Sequence, residues 1–301
     1  MASEPLEALR SAFVQRKAQR KADPPSDEAL AASLPAYRAQ NDENARRTVP
    51  VPPGVTVEER VIGGRRGEYY RVEGSRKDRL ILYLHGGGWE NGSVTSRRYT
   101  AMGLARAANA DCFSAGYTQW PEGRFPQGLA DCLSVYAALR AQCPGSLVLA
   151  GESAGGTLVL SVTLALKAQG LPLPAALAVY CPVTDLEDRF PSRRTRDALD
   201  PMICPDVGRR MLAHFCGGTG ARDPLRCVRY GDYAGFPPAF IGVGSDEVLL
   251  DDAADLHRLL DENGARNRLA VYDGLYHAFM MFPSPEAEQC FRDTAAFLDG
   301  S

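Results

Sequence analysis

The chain predicts an α/β fold: a central, mostly parallel eight-stranded sheet flanked by helices and carrying a helical cap. Two observations lead to the sheet. From residue 55 onward, short apolar runs alternate with amphipathic helical stretches. The runs are apolar at consecutive positions, as in RLILYL (79–84) and SLVLA (146–150), which suits strands buried on both faces. A third observation supplies the cap. Helix-rich segments stand outside the alternation, at the N-terminus and again across residues 185–236.

Residues 5–47 read as two or three polar helices broken at Pro24-Pro25, with Ser26 as an N-cap and Asp27 and Glu28 in the following first turn. The stretch TVPVPPGVT (48–56) ends helicity, so residues 1–50 are assigned to the cap and 51–301 to the main domain. Strands are expected at 55–62, 68–73, 79–84, 111–117, 146–150, 176–181, 239–244 and 268–273. Helices are expected at 97–109, 126–142, 155–169, 251–263 and 285–299. The first two strands have no helix between them, so that end of the sheet should be antiparallel. The insertion at 185–236 contains helical material, and one of that size between strands usually forms a lid or pocket wall.

Composition narrows the function. Of 301 residues 45% are hydrophobic and 24% charged, with 34 basic against 37 acidic side chains and a net charge of −3. That balance offers no field for nucleic acid or an acidic membrane. The basic runs Arg16-Lys17, Arg20-Lys21, Arg46-Arg47 and Arg193-Arg194-Thr195-Arg196 read as solvated faces. The opening MASEPLEALR lacks the pattern of a secretory signal, and no apolar run reaches the roughly 18 residues of a membrane span. Eight cysteines without a C-x-x-C pair, mostly inside apolar patterns, read as buried free thiols in a cytoplasmic protein.

Chemistry concentrates in a few stretches. LVLAGESAGGTLVLSV places G-x-S-x-G at residues 151–155 between a strand and a helix, the setting in which a turn lifts a serine hydroxyl above a sheet. Ser153 is therefore the candidate nucleophile. Of four histidines, His214 and His257 lie in helical patterns and His85 belongs to a glycine turn. His277, in a loop after the last strand, is where a base falls in the chain order serine, acid, histidine. The acid should follow the preceding strand, where Asp246 and Glu247 are adjacent and composition does not separate them; Asp251 and Asp252 read as N-terminal charges of the next helix. The turn LHGGGWENG keeps side chains away from backbone N–H groups, as an oxyanion requires. Gly86, Gly87, Gly88 and the amide of Ala154 are its candidate donors. No G-K-[ST] or G-x-G-x-x-G continues the turn, so a phosphate loop fits poorly. Scattered histidines imply no metal, and no cofactor is expected.

Together LHGGGW, YTQWPEGRFPQGLADC, GESAGG, DPLRCVRYGDYAGFPPAFIGVGSDEVLLDDA and YDGLYHAF resemble the hormone-sensitive-lipase-like esterases of the α/β-hydrolase fold, from about residue 55 to the C-terminus. The resemblance implies that the N-terminal helices and the 185–236 insertion form the cap. It also implies an acid three residues after Gly244, which selects Glu247 over Asp246. Two stretches depart from the family pattern: YTQWPE stands for the usual Y-R-L-A-P-E, and Glu152 precedes the serine where aspartate or threonine is more familiar.

The expected function is hydrolysis of short-chain carboxylic esters through an acyl-enzyme, with a small-molecule ester as partner and a homodimer admitted as the assembly. Trp89, Trp120, Met211 and Phe215 are the expected pocket walls, bulky enough to close it to long chains. The same triad serves lactonase, amidase and deacetylase chemistry. A ligand receptor on a dead hydrolase scaffold would lack a member of the set, and here every role is filled.

Overall fold

The computed structural model describes residues 2–143 and 145–300; residues 1 and 301, the outer limits of the two predicted segments, lie outside them. The strands are β1 (Val55–Ile62), β2 (Arg65–Val72), β3 (Arg76–Leu84), β4 (Ala110–Ala115), β5 (Ser146–Glu152), β6 (Ala176–Tyr180), β7 (Ala239–Gly244) and β8 (Asn267–Tyr272). The helices are α1 (Glu4–Ala22), α2 (Asp27–Thr48), α3 (Arg98–Ala107), α4 (Gln127–Gln142), α5 (Ala154–Ala168), α6 (Ser192–Thr195), α7 (Val207–His214), α8 (Leu250–Glu262) and α9 (Pro285–Asp299).

One eight-stranded sheet runs in the order β1-β2-β4-β3-β5-β6-β7-β8. β1 and β2 form a hairpin closed by Gly63-Gly64, with φ of 57° and 77°. Positive φ at both central residues gives the turn whose twist matches the strands, and glycine reaches it without steric cost. β2 is also antiparallel to β4, while every later pairing is parallel. The continuous apolar run of β3 is buried from Arg79 to Leu84. Each of its leucines stabilises the fold by about 1.5–3 kcal/mol when fully buried.

Most strand bounds shift by one to three residues from the expected ones, and two of the shifts matter for the site. β4 stops at Ala115, not 117, because Tyr117 leaves the sheet to stack on His85 and to donate its hydroxyl to the His85 carbonyl at 2.6 Å. β5 runs on to Glu152, which pairs with Tyr180. The N-terminal region is two helices, and Ser26 accepts a hydrogen bond from the Ala29 amide at 3.2 Å as an N-cap should.

Parallel pairing sets the stage for the site. Leu84 is in register with Gly151, Glu152 with Tyr180, and Gly244 with Tyr272, so β3, β5, β7 and β8 end along one edge of the sheet. The loops that follow deliver the glycine turn, Ser153, Glu247 and His277 to that edge, where open parallel sheets carry their sites. The N-terminal helices meet the 185–236 segment nearby. Lys17 Nζ donates to the carbonyls of Asp197 and Asp200 at 2.7 and 2.6 Å, and His214 Nε2 lies 3.1 Å from Asp27.

Candidate active site

Ser153 caps α5 in a conformation of φ 54° and ψ −124°, a region that costs a non-glycine residue about 1–3 kcal/mol. Its amide donates to the Tyr180 carbonyl at 2.8 Å and its carbonyl accepts from Thr157 at 3.0 Å, which holds the turn. The flanking glycines are steric necessities. A Cβ on Gly151 would stand 2.6 Å from the Leu84 carbonyl oxygen, and one on Gly155 only 2.0 Å from the same atom. Strand, helix and neighbouring strand therefore close up only with hydrogen at both positions.

Ser153 Oγ lies 3.0 Å from His277 Nε2, and His277 Nδ1 lies 2.9 Å from Glu247 Oε2. All three residues are buried. Because Nδ1 faces a carboxylate, it carries the proton and leaves Nε2 to accept from the serine. Burial by itself disfavours the charged ring, but the hydrogen bond and charge of Glu247, with Asp200 and Glu152 beyond, hold the His277 pKa above its ordinary value. Glu247 is anchored in turn, its Oε1 accepting from the Gly244 amide at 2.7 Å. Asp246 points elsewhere: its amide donates to the Leu275 carbonyl, and its carboxylate faces Arg10 at 3.6 Å.

The glycine turn is built by close approach. Gly87 has φ 115° and Gly88 φ 66°, and a Cβ on Gly87 would stand 2.3 Å from the Gly92 nitrogen. Both border the cavity over Ser153, and among the described residues neither amide has a protein acceptor. Ala154 begins α5, so its amide is one of the donors a helix leaves without an intrahelical partner. Gly86 requires a correction. Its amide already donates to Glu152 Oε1 at 2.7 Å, so it braces the turn and is not free to meet a substrate oxygen. Trp89 Nε1 ties the same turn to the Ala154 carbonyl at 2.8 Å. His85 stacks on Tyr117, and burial lowers its pKa to about 3, so it stays neutral.

Glu152, the departure beside the serine, is fully buried. It accepts from Tyr83, Gly86 and Arg97, so three elements converge on one carboxylate. Burial raises its pKa, opposed by Arg97 and the hydrogen bonds.

A cavity of about 160 Å³ opens over Ser153 and His277. The expected pocket walls are not in it. Trp89 packs on Phe215 with ring centroids 4.6 Å apart, Trp120 stacks on His214 at 4.5 Å, and Met211 is buried with them. These bulky side chains are taken up by packing on one another and on His214, where aromatic pairs bury their apolar area. Phe13, Met202, Ile203, Val207 and Met281 supply the apolar wall instead.

Other side chains near the site were invisible as such in the sequence. Asp200 is buried, and accepts from the amides of Met202, Ile203 and Val248 at 2.9, 3.3 and 3.1 Å. It thereby ties the cavity wall to the loop that carries Glu247. The Asp-Pro pair at 200–201 is a turn signal that marked the place without the role. Two basic runs also need correcting. Lys17 is buried, held by Asp197 at 2.8 Å, and Arg193 is buried with Asp252 at 2.8 Å and Asp188 at 3.3 Å. Among the described residues, one set of ligand-type side chains converges within 4.8 Å: Cys181, Glu247 and His277. There Nδ1 and the carboxylate are spent on each other, and burial pushes the Cys181 thiol well up. The donor set therefore does not fit a cation.

A strand-to-helix serine turn at the carboxyl edge of this sheet defines the alpha/beta hydrolase fold, whose family profile matches residues 81–281. Within that fold the chain belongs to the hormone-sensitive-lipase-like esterase family. It is 36% identical over 253 residues to an acetyl-hydrolase of Streptomyces hygroscopicus, covering 82% of this chain and 83% of that one. An esterase of Acinetobacter venetianus is 28% identical over 83% of this chain and 84% of its own. A solved esterase of the bacterial hormone-sensitive lipase family superposes with a TM-score of 0.88 at 30% identity, over 100% of this chain and 99% of that one. No helix among the described residues is long and apolar enough to cross a membrane.

Proposed function

We propose that the chain is a serine carboxylesterase for short acyl esters. Ser153 Oγ attacks the ester carbonyl as His277 Nε2 takes its proton, and Glu247 steadies the imidazolium. The amides of Gly87, Gly88 and Ala154 receive the oxyanion. Collapse of the tetrahedral intermediate breaks the bond to the alcohol, which leaves with the proton held on His277. Water, deprotonated by His277, then attacks the acyl-serine and releases the acid. The observation that carries this reading is the buried relay of 3.0 and 2.9 Å from Ser153 through His277 to Glu247.

Two further observations support the finer points. The cavity of about 160 Å³ is small beside the roughly 300–1,000 Å³ of drug-sized ligand sites, which favours acyl chains of about two to six carbons. Its walls combine α1 and α2 with residues 201–210, so these segments act as the cap.

The test is hydrolysis of p-nitrophenyl esters from acetate to palmitate, with Ser153→Ala as the blank. The expected result is turnover that peaks at short chains, survives a chelator and disappears in the variant. Undiminished turnover in Ser153→Ala overturns the mechanism, and faster turnover of palmitate overturns the chain-length reading.

A further inference from the structure

Positions 13, 16, 17 and 20 of α1 all face the cavity, a spacing that puts one stripe of the helix over the serine. The stripe starts apolar and turns cationic. Phe13 packs edge-on to Tyr276, the neighbour of His277, with centroids 6.0 Å apart. At about 1.5 Å of rise per residue, Arg16 and Arg20 follow roughly 5 and 10 Å farther along the helix.

Most charges around the cavity cancel. Lys17 is discharged by Asp197 at 2.8 Å, Arg97 by Glu152 at 3.1 Å, and Arg210 by Glu90 at 2.5 Å. Arg16 and Arg20 do not: among the described residues neither makes a hydrogen bond or an ion pair. The carboxylate Arg20 feels is Glu90, already committed to Arg210 and to His214 Nδ1 at 3.0 Å. Partial desolvation at the cavity wall and repulsion from Arg210 lower the Arg20 pKa, although the side chain stays open to solvent. The same two arginines border an adjoining hollow of about 690 Å³, so they stand where the cavity meets its approach. Both side chains are exposed at that mouth, so their guanidiniums are open to an arriving anionic group.

We propose that this site takes esters carrying a carboxylate remote from the scissile bond, gripped by Arg16 and Arg20; the proposal rests on the esterase reading above. The apolar wall of Phe13, Met202 and Met281 accepts the short spacer between ester and anion. Guanidinium forks match a planar carboxylate with two parallel hydrogen bonds, and the field they create raises the encounter rate with anions.

The test compares two matched pairs, monomethyl adipate with methyl hexanoate and 3-acetoxybenzoate with 3-acetoxybenzamide, by kcat/KM from release of methanol or phenol. The wild type should favour the charged member of at least one pair. R16Q/R20Q should cut that charged-to-neutral ratio by about tenfold or more, mainly through KM, as loss of a charge-assisted hydrogen bond of about 1.5–3 kcal/mol implies. Raising NaCl to about 0.5 M should erode the same ratio. Circular dichroism checks that the variant is folded. A wild type that favours the neutral members overturns the proposal, and so does a preference that the double variant keeps. Either result leaves the esterase reading standing. Failure to hydrolyse any of the four esters or p-nitrophenyl acetate overturns that reading instead.

Discussion

Glu247 Oε2 stands 2.9 Å from His277 Nδ1, while its neighbour Asp246 turns outward to Arg10 at 3.6 Å. The two sit in a tight turn after β7, where the Asp246 amide is held by the Leu275 carbonyl, and only the Glu247 carboxylate is aimed at the ring. Glu247→Gln should lower kcat by about 10³- to 10⁴-fold with little change in KM, because the histidine loses both tautomer control and charge stabilisation. Asp246→Asn should stay within a few-fold of wild type. Steady-state kinetics on both variants, with circular dichroism as a fold check, decide it. A dead Asp246→Asn beside an active Glu247→Gln reverses the assignment.

The raised pKa of His277 sets the pH dependence. In the proposed mechanism the ring must be neutral to accept the serine proton, so kcat/KM should fall as pH drops through a value above the ordinary 6.5 of histidine. In Glu247→Gln the residual activity should show this limb at lower pH, since the carboxylate that stabilises the imidazolium is gone. A pH–rate profile on a non-ionising ester reads both. An acid limb well below 6.5 in the wild type contradicts the geometry.

Gly87→Ala should lower kcat by about 100- to 1,000-fold, the usual effect of losing an oxyanion donor. The added Cβ would stand 2.3 Å from the Gly92 nitrogen, and φ of 115° is strained for alanine, so the turn must move. Binding of a non-reactive ketone analogue of the substrate, followed by calorimetry, should fall far less than turnover. Near-normal kcat removes Gly87 from the oxyanion site.

His214 of α7 links Asp27 at the start of α2 to Glu90 in the glycine turn. The hydrogen bond to Glu90 raises its pKa against the opposing effect of burial, with Asp27 adding to the rise. A folded pKa above the unfolded value of about 6.5 contributes stability that is fully present below that pH and is lost as pH rises through the folded value. His277 contributes in the same direction, so the comparison must be with His214→Asn. Thermal unfolding from pH 5.5 to 8.5 should show a steeper loss of Tm in the wild type than in the variant. Equal slopes would remove His214 from that role.

Arg193 is buried between Asp188 and Asp252, and the burial raises the Asp252 pKa to about 6. Arg193→Met should destabilise the fold by about 3–5 kcal/mol, because it leaves Asp252 buried with no cation and Asp188 with only the exposed Arg209. The urea midpoint measures this. A loss below about 1 kcal/mol would class the pair with surface bridges.

Local pattern alone determined much of this protein. Continuous apolar runs, the glycines around Ser153 and the Ser26 cap report short-range constraints, since strand burial, steric closeness and a missing acceptor act within a few residues. The chain order of serine, acid and histidine was legible for the same reason: each follows a strand, and parallel strands end together. Only the tertiary structure decided the rest. Residue type did not separate Asp246 from Glu247; the resemblance pointed to Glu247, and the way the turn leaves β7 aims that carboxylate at the ring. Whether Trp89, Trp120, Met211 and Phe215 line a cavity or fill a core depends on contacts distant in sequence, Trp120 against His214 and Trp89 against Phe215. Lys17 and Arg193 look solvated in sequence because charge is costly to bury, and only folded partners brought from residues 197 and 252 offset that cost. Gly86 looks like Gly87 and Gly88 in sequence, and differs only because the Glu152 carboxylate arrives beneath it from the neighbouring strand.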